Sequence, residues 1–259
     1  MSVTLNNKQI LVTRPKHQAD NLCELISANG GQAIAFPTIE IQAVANPVDS
    51  LTSSKALSEY DFAVFVSRNA VRVGFDQFLS RLSLPEHIKI IAIGAGTAEA
   101  LSEMNITAVL HPGKQADSEA LLQLPEMQKE KISGKKILIV RGVGGREYLA
   151  DNLIDRGALV DYAEVYKRCL PESGSKDSHK IWQDIRPNAA IITSNDGLKN
   201  LLRLTLETDK AQLFSTPLVL MSARSDNLAK QLGFVSDTSI AVDKNDQGLL
   251  LALLDLVGE

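Results

Sequence analysis

This chain has few cysteines, few aromatic residues and no excess of positive charge, and each shortage narrows the range of functions. Its 259 residues include two cysteines, and 5% of them are aromatic. Two cysteines cannot build a disulfide framework, so a reducing cytoplasm is the expected location. The formal net charge of -4 argues against a nucleic-acid partner, because such partners are held by Lys and Arg at their phosphates. Local groups would therefore have to hold any anionic ligand.

Several motifs of common site types are also missing. No apolar run approaches the roughly 18 residues of a membrane span, and the polar start MSVTLNNKQ does not resemble a signal peptide. The four histidines lie on different segments with no i, i+4 pair, so we expect no metal site. There is no G-x-S-x-G motif, and no G-K-[ST] follows a glycine-rich turn. A serine nucleophile for acyl transfer and a P-loop are therefore not predicted.

The sequence does contain an internal repeat. ILVTR at 10–14 aligns with ILIVR at 137–141 at an offset of 127 residues (137 − 10 = 127). The same offset places AVFVSRN at 63 on AIITSND at 190, and an offset of 128 places IIAIGAGTA at 90 on LVLMSARSD at 218. Three blocks in one order indicate a duplicated half, much longer than a solenoid repeat.

Each block reads as a β-strand, a polar or glycine-containing turn, and a helix with apolar residues at helical spacing. Runs such as AVFV and ILIV are apolar throughout, as expected of strands covered by helices on both faces. The sequence therefore predicts an α/β protein of two similar, flavodoxin-like domains, each an open parallel sheet covered by helices. The pattern leaves open whether the domains are consecutive halves or one is inserted into the other.

The turns that follow the strands contain the candidate ligand-binding residues. Open parallel sheets bind ligands outside the carboxyl ends of their strands, where helix N-termini offer free N–H groups. The turns concerned are 13–14, 67–69, 94–97, 141–146, 193–196 and 222–225. Each Ser, Thr or Asn in them could equally be an ordinary helix cap, and Arg141 could form a surface ion pair. Six such turns together favour one anion-binding face.

Tyr166 differs from the other candidates because it lies in a stretch expected to connect the domains. A phenol at that place could donate a proton or a hydrogen bond to a leaving group. The alternative is an amphipathic tyrosine packed at a domain hinge.

Taken in order, the motifs resemble those of the uroporphyrinogen-III synthases. They are ILVTRP (10–15), FPTIEI (36–41), VFVSRNAV (64–71), IAIGAGTA (91–98), ILIVRGVGGRE (137–147), EVYKR (164–168) and ITSNDG (192–197). The resemblance implies that the second domain is inserted into the first and that a two-stranded connection joins them. The implied segments are a first domain of 1–36 and 170–259, a second domain of 47–160, and a connector of 37–46 and 161–169.

The resemblance also implies an activity in haem biosynthesis. It is the closure of hydroxymethylbilane, a linear tetrapyrrole with many carboxylates, to uroporphyrinogen III, with inversion of the last ring, loss of water and no cofactor. Tyr166 would assist departure of the hydroxyl. The implied substrate-binding residues are Arg14, Ser67, Asn69, Gly94, Thr97, Arg141, Gly142, Ser194 and Ser222. Around Ser222 the chain departs from the family, since MSARSDN replaces a Thr-Ala pair found in many members. A cytoplasmic monomer without membrane partners is expected.

Two other functions are compatible with parts of the pattern. A two-domain binding or sensor protein for a small polyanionic ligand would share the fold, but it would not need a hydroxyl donor at Tyr166. A nucleotide-dependent oxidoreductase would need a complete glycine fingerprint and an acidic partner, and IGAGTA supplies only half of that motif.

Overall fold

A computed structural model describes residues 3–45, 57–76, 85–113, 117–172 and 178–259. The chain forms two compact units, of which the first comprises residues 1–40 and 169–259 and the second comprises residues 41–168. The boundary predicted between residues 46 and 47 lies outside the described part of the chain. Both stretches predicted as a connector contain strands that are neighbours in the sheet of the second unit.

The strands are short, apart from two in the second unit. They are β1 (Gln9–Val12), β2 (Gln32–Ala35), β3 (Glu40–Ala43), β4 (Phe62–Phe65), β5 (Lys89–Ala92), β6 (Val109–Leu110), β7 (Lys136–Gly142), β8 (Leu159–Cys169), β9 (Ala189–Ile192), β10 (Leu218–Leu220) and β11 (Thr238–Ile240).

Helices connect most of these strands. They are α1 (Lys16–Ala28), α2 (Arg68–Gly74), α3 (Ala95–Glu103), α4 (Ser118–Leu122), α5 (Lys129–Ile132), α6 (Tyr148–Asp155), α7 (Asn195–Leu204), α8 (Lys210–Ser215), α9 (Ala223–Gln231) and α10 (Asp246–Val257). Short 3₁₀ turns cover Pro125–Met127 and Glu207–Asp209, and a π-helical turn covers Ile181–Ile185.

The first unit has a five-stranded sheet in the order β11-β10-β9-β1-β2, with parallel pairing throughout. Counted within the unit, this is the order 2-1-3-4-5 of flavodoxin-like folds. Ile10 and Val12 pack on one face of the sheet with Leu22 of α1 and Leu253 of α10. Leu11 belongs to the separate cluster on the other face. Apolar side chains on both faces of β1 explain its uninterrupted hydrophobic run.

The second unit has a six-stranded sheet in the order β3-β8-β7-β4-β5-β6. Five of these strands, β8-β7-β4-β5-β6, again have the order 2-1-3-4-5 if β7 is counted as the first strand, β8 as the second and β4 as the third. The register repeats as well, because Ile10 pairs with Ala189 in one sheet and Ile137 with Phe62 in the other. Equivalent residues of the two pairs are 127 positions apart in the chain (137 − 10 = 127; 189 − 62 = 127). The prediction of two open parallel sheets covered by helices is confirmed.

Candidate active site

A pocket of about 370 Å³ opens in the second unit at the carboxyl ends of its parallel strands. The ends of β4, β7 and β8, the turn of residues 143–146 and the start of α4 line it. Four predicted site residues meet there: Ser67, Arg141, Gly142 and Tyr166. The position agrees with the rule that open α/β sheets bind ligands beyond the carboxyl ends of their strands.

Tyr166 is almost completely buried, with 3% of its surface exposed. Its hydroxyl lies 3.1 Å from Ser67 Oγ, and the two hydroxyls share a hydrogen bond. Its ring covers Gly142, where a Cβ atom would lie 2.6 Å from Tyr166 Cζ. Glycine at 142 is therefore required by the close approach of the aromatic ring.

A β-bulge sets the direction of Tyr166. Arg141 on β7 pairs with Glu164 on β8, but the next residue, Gly142, pairs with Tyr166. Val165 is thus an additional residue in β8, and both Val165 and Tyr166 belong to the same hydrophobic cluster. In a regular strand these two neighbours would point to opposite faces. Bulges next to functional sites commonly re-aim a side chain in this way.

Arg141 is a buried cation, with 7% of its side chain exposed. Its Nη1 donates to Glu147 Oε1 at 3.1 Å, and its guanidinium lies 4.6 Å from the centre of the Tyr162 ring. The Tyr162 hydroxyl donates to the other Glu147 oxygen, and burial together with this bond raises the pKa of Tyr162 to about 12. The bond from Tyr162 and the charge of Arg141 lower the pKa of Glu147. Arg141 is ion-paired, but it is not at the surface.

The turn after Arg141 has two residues with positive φ, Gly144 at 71° and Gly145 at 117°. This backbone conformation delays the next helix, which begins only at Tyr148 and has no side-chain cap. The Gly144 N–H donates to Glu164 Oε1 at 3.3 Å. The predicted anion cradle therefore holds a carboxylate, that of Glu164, with a backbone N–H next to a buried arginine.

Arg146 and Arg168 also line the pocket. Arg146 belongs to the predicted glycine-rich turn. Glu164 and Arg168 belong to the motif EVYKR (164–168), but neither is among the predicted site residues, because a charged residue on a strand cannot be told in the sequence from a solvent-facing one.

Three predicted site residues of the second unit do not line this pocket. Asn69 and Thr97 are 9% and 5% exposed and lie in the first turns of α2 and α3. Gly94 is the N-cap of α3 with an extended φ of -177°, which any residue can adopt. Their roles in substrate binding stay predictions.

The remaining predicted residues lie on the first unit. Arg14 forms an ion pair with Asp246. Ser194 caps α7 and accepts a hydrogen bond from Gly197 N at 3.0 Å, while Ser222 caps α9 in the same way at 3.2 Å. Each of these polar groups has a structural partner, so any role toward a ligand also stays a prediction.

Over the described ranges, no three His, Cys, Asp or Glu side chains are grouped so that they could hold a metal ion. Of the helices in the described part of the chain, none is both long enough and apolar enough to cross a membrane.

A family model for uroporphyrinogen-III synthase HemD matches residues 20–246. The chain belongs to the uroporphyrinogen-III synthase family. The uroporphyrinogen-III synthase of Escherichia coli (strain K12) is 34% identical over 249 residues, which cover 94% of this chain and 99% of that protein. The synthase of Salmonella typhimurium is 34% identical over 247 residues, with the same coverage of 94% and 99%.

Solved structures of the family share the fold. The uroporphyrinogen-III synthetase of Helicobacter pylori 26695 has a TM-score of 0.62 at 15% identity, covering 96% of this chain and 99% of that one. A mutant uroporphyrinogen III synthase of the extremely thermophilic bacterium Thermus thermophilus has a TM-score of 0.58 at 14% identity, with coverage of 96% and 99%. At these identities the likeness speaks for the architecture alone.

Proposed function

We propose that this protein closes hydroxymethylbilane to uroporphyrinogen III, with inversion of the last pyrrole ring and loss of water. The pocket of the second unit carries the proposal. It places a buried phenol, a buried guanidinium and an exposed glycine turn, in which the Gly144 N–H donates to a carboxylate, around one space of about 370 Å³. Such a set can hold carboxylates and can donate a proton, as a polycarboxylate that must lose a hydroxyl group requires.

In this mechanism Tyr166 assists the departing hydroxyl with a proton or a hydrogen bond. The pyrrole that carried the hydroxyl gives up its N–H proton, so that the products are water and an azafulvene and the phenol is restored. The substituted carbon of the last pyrrole then attacks to form a spiro intermediate, which fragments and closes again with that ring inverted. Ser67 holds the phenol in place through their shared hydrogen bond of 3.1 Å. Arg141 and the glycine turn hold substrate carboxylates.

The main contribution of the protein to the reaction is to hold the reacting groups of the substrate in one arrangement. The substrate closes without help to the other isomer, uroporphyrinogen I, so the protein must favour the attack that inverts the last ring. Holding reacting groups in the right arrangement can supply a large part of a barrier reduction. This role is consistent with a pocket whose lining combines the phenol of Tyr166 with arginines that can bind carboxylates.

Further parts of the proposal concern the other candidates. Arg14, Asn69, Gly94, Thr97, Ser194 and Ser222 are proposed as additional substrate contacts. A monomer in the cytoplasm is proposed as the working form, and the free state of Cys23 and Cys169 is compatible with that reducing location.

The test is to supply hydroxymethylbilane to the purified protein and to separate the I and III isomers by chromatography, with a protein-free reaction alongside. We expect the III isomer to dominate only when the protein is present. A product mixture identical to the protein-free reaction would contradict the proposed function.

A further inference from the structure

The glycine turn of the second unit is already in contact with a carboxylate of the protein itself. The Gly144 N–H donates to Glu164 Oε1, and the same oxygen lies 3.8 Å from Arg141 Nε. A guanidinium as buried as that of Arg141 is costly unless negative charge lies close to it. Glu164 therefore supplies part of the charge that Arg141 requires.

The two carboxylates beside Arg141, those of Glu147 and Glu164, differ in the number and length of their hydrogen bonds and ionic contacts. Glu147 accepts from Arg141 Nη1 at 3.1 Å and also from the Tyr162 hydroxyl. Among the described residues, the contacts of Glu164 are longer, 3.3 Å to Gly144 N and 3.8 Å to Arg141 Nε, and 39% of its side chain is exposed. Glu164 is therefore the carboxylate that an incoming anion can displace at the smaller cost.

We propose that Arg141 and the Gly144 N–H form a carboxylate subsite that Glu164 occupies, and that a substrate carboxylate displaces Glu164 on binding. The identity of the substrate rests on the proposed function, whereas the subsite requires only a carboxylate. One carboxylate replaces another, so the buried arginine stays neutralised throughout. An internal competitor weakens the ground state and the transition state alike, so Glu164 sets KM and leaves kcat unchanged.

The first experiment measures KM and kcat for hydroxymethylbilane with Glu164→Gln, which keeps the shape of the side chain and removes its charge. We expect KM to fall about threefold to tenfold, the range of a partly exposed ion pair, with kcat unchanged. Glu103→Gln is the matched control. It removes the same charge from the exposed far end of α3 and should leave KM unchanged.

A second experiment tests the carboxylate subsite independently of the proposed function. Benzene-1,2,4,5-tetracarboxylate presents carboxylates without pyrrole chemistry, and calorimetry gives its Kd. We expect tighter binding by Glu164→Gln than by the wild type, and no such gain when Arg141→Ala is also present. If hydroxymethylbilane is not converted but this gain is found, the subsite stands and the proposed function fails.

The proposal is overturned if neither KM nor the tetracarboxylate Kd is lower in Glu164→Gln than in the wild type. It is also overturned if Glu103→Gln gives the same gain, because general charge repulsion would then explain the effect. Should Glu164→Gln fail to fold, Glu164→Thr replaces it, since threonine suits a β-strand and is also uncharged.

Discussion

The two units share the strand order 2-1-3-4-5, but the chain continues differently after the equivalent strands β1 and β7. In the first unit, Arg14 and Pro15 lead directly into α1 at Lys16. In the second unit, β7 continues to Gly142, and α6 begins only at Tyr148. The duplicated strand therefore ends in a tight junction in one unit and in a glycine turn in the other. The pocket is accompanied by this delayed helix start and by the longer strand β8 with its extra residue Val165.

The largest effect is expected at Tyr166, whose counterpart in the first unit is Ile39 (166 − 127 = 39). Tyr166→Phe should lower kcat by about 10²-fold, the low end for a positioned proton donor, with little change in KM. The I isomer should increase, because spontaneous closure then competes. Single-turnover conversion with isomer analysis measures both quantities.

Tyr60→Phe is the matched control for that substitution. It removes a hydroxyl that donates to Asp161 at 2.9 Å and that does not line the pocket. We expect it to lower stability by about 1 kcal/mol and to leave kcat unchanged. Wild-type rate and isomer ratio in Tyr166→Phe would leave Tyr166 with a packing role only.

The next largest effect is expected on KM, when the equivalent arginines Arg141 and Arg14 are each replaced by alanine. Arg141→Ala should raise KM about tenfold or more, because it removes a charge-assisted contact of roughly 1.5–3 kcal/mol from the pocket. Arg14→Ala should raise KM less, because Arg14 does not line the pocket of the second unit, whereas Arg141 does. Steady-state kinetics of the two variants compare them directly. A larger effect at Arg14 would reverse the assignment of the main carboxylate contact to the second unit.

Gly142 and its counterpart Pro15 (142 − 127 = 15) should differ in stability. Gly142→Ala places a Cβ 2.6 Å from the Tyr166 ring, and the forced shift should cost about 1–3 kcal/mol and lower kcat. Pro15→Ala should cost at most about 1 kcal/mol, through the entropy of the unfolded chain. Denaturant unfolding and kcat are the measurements. Normal values of both in Gly142→Ala would show that the ring adjusts freely.

The smallest difference is expected between two equivalent caps. Ser67 and Ser194 each accept from a backbone N–H three residues later, at 3.0 Å in both cases. Ser67→Ala and Ser194→Ala should each lower stability by about 1 kcal/mol. Only Ser67→Ala should also lower kcat, by a few-fold, because Tyr166 loses its partner. An equal change of kcat in both variants would contradict a special role for the Ser67–Tyr166 contact.

The sequence by itself determined the duplicated α/β pattern, the parallel sheets and the sheet edge at which the candidate site is predicted. These features follow from local signals, namely apolar runs, helical spacing and the polar residue after each strand, and such signals act over a few residues. The repeat also extends to strand pairing, because equivalent residues are paired in the two sheets: Ile10 with Ala189 in one, and Ile137 with Phe62 in the other.

Only the tertiary structure decided which turn lies at a pocket and which side chains meet in it. Ser67 and Tyr166 touch although 99 residues separate them. The extra residue Val165, which turns Tyr166 toward Ser67, is visible only in the pairing of β7 with β8. The approach of Glu164 to Gly144 likewise depends on the fold of the turn. Contacts of this kind arise from packing between distant segments, and the periodicity of any one segment does not record which neighbour it will meet.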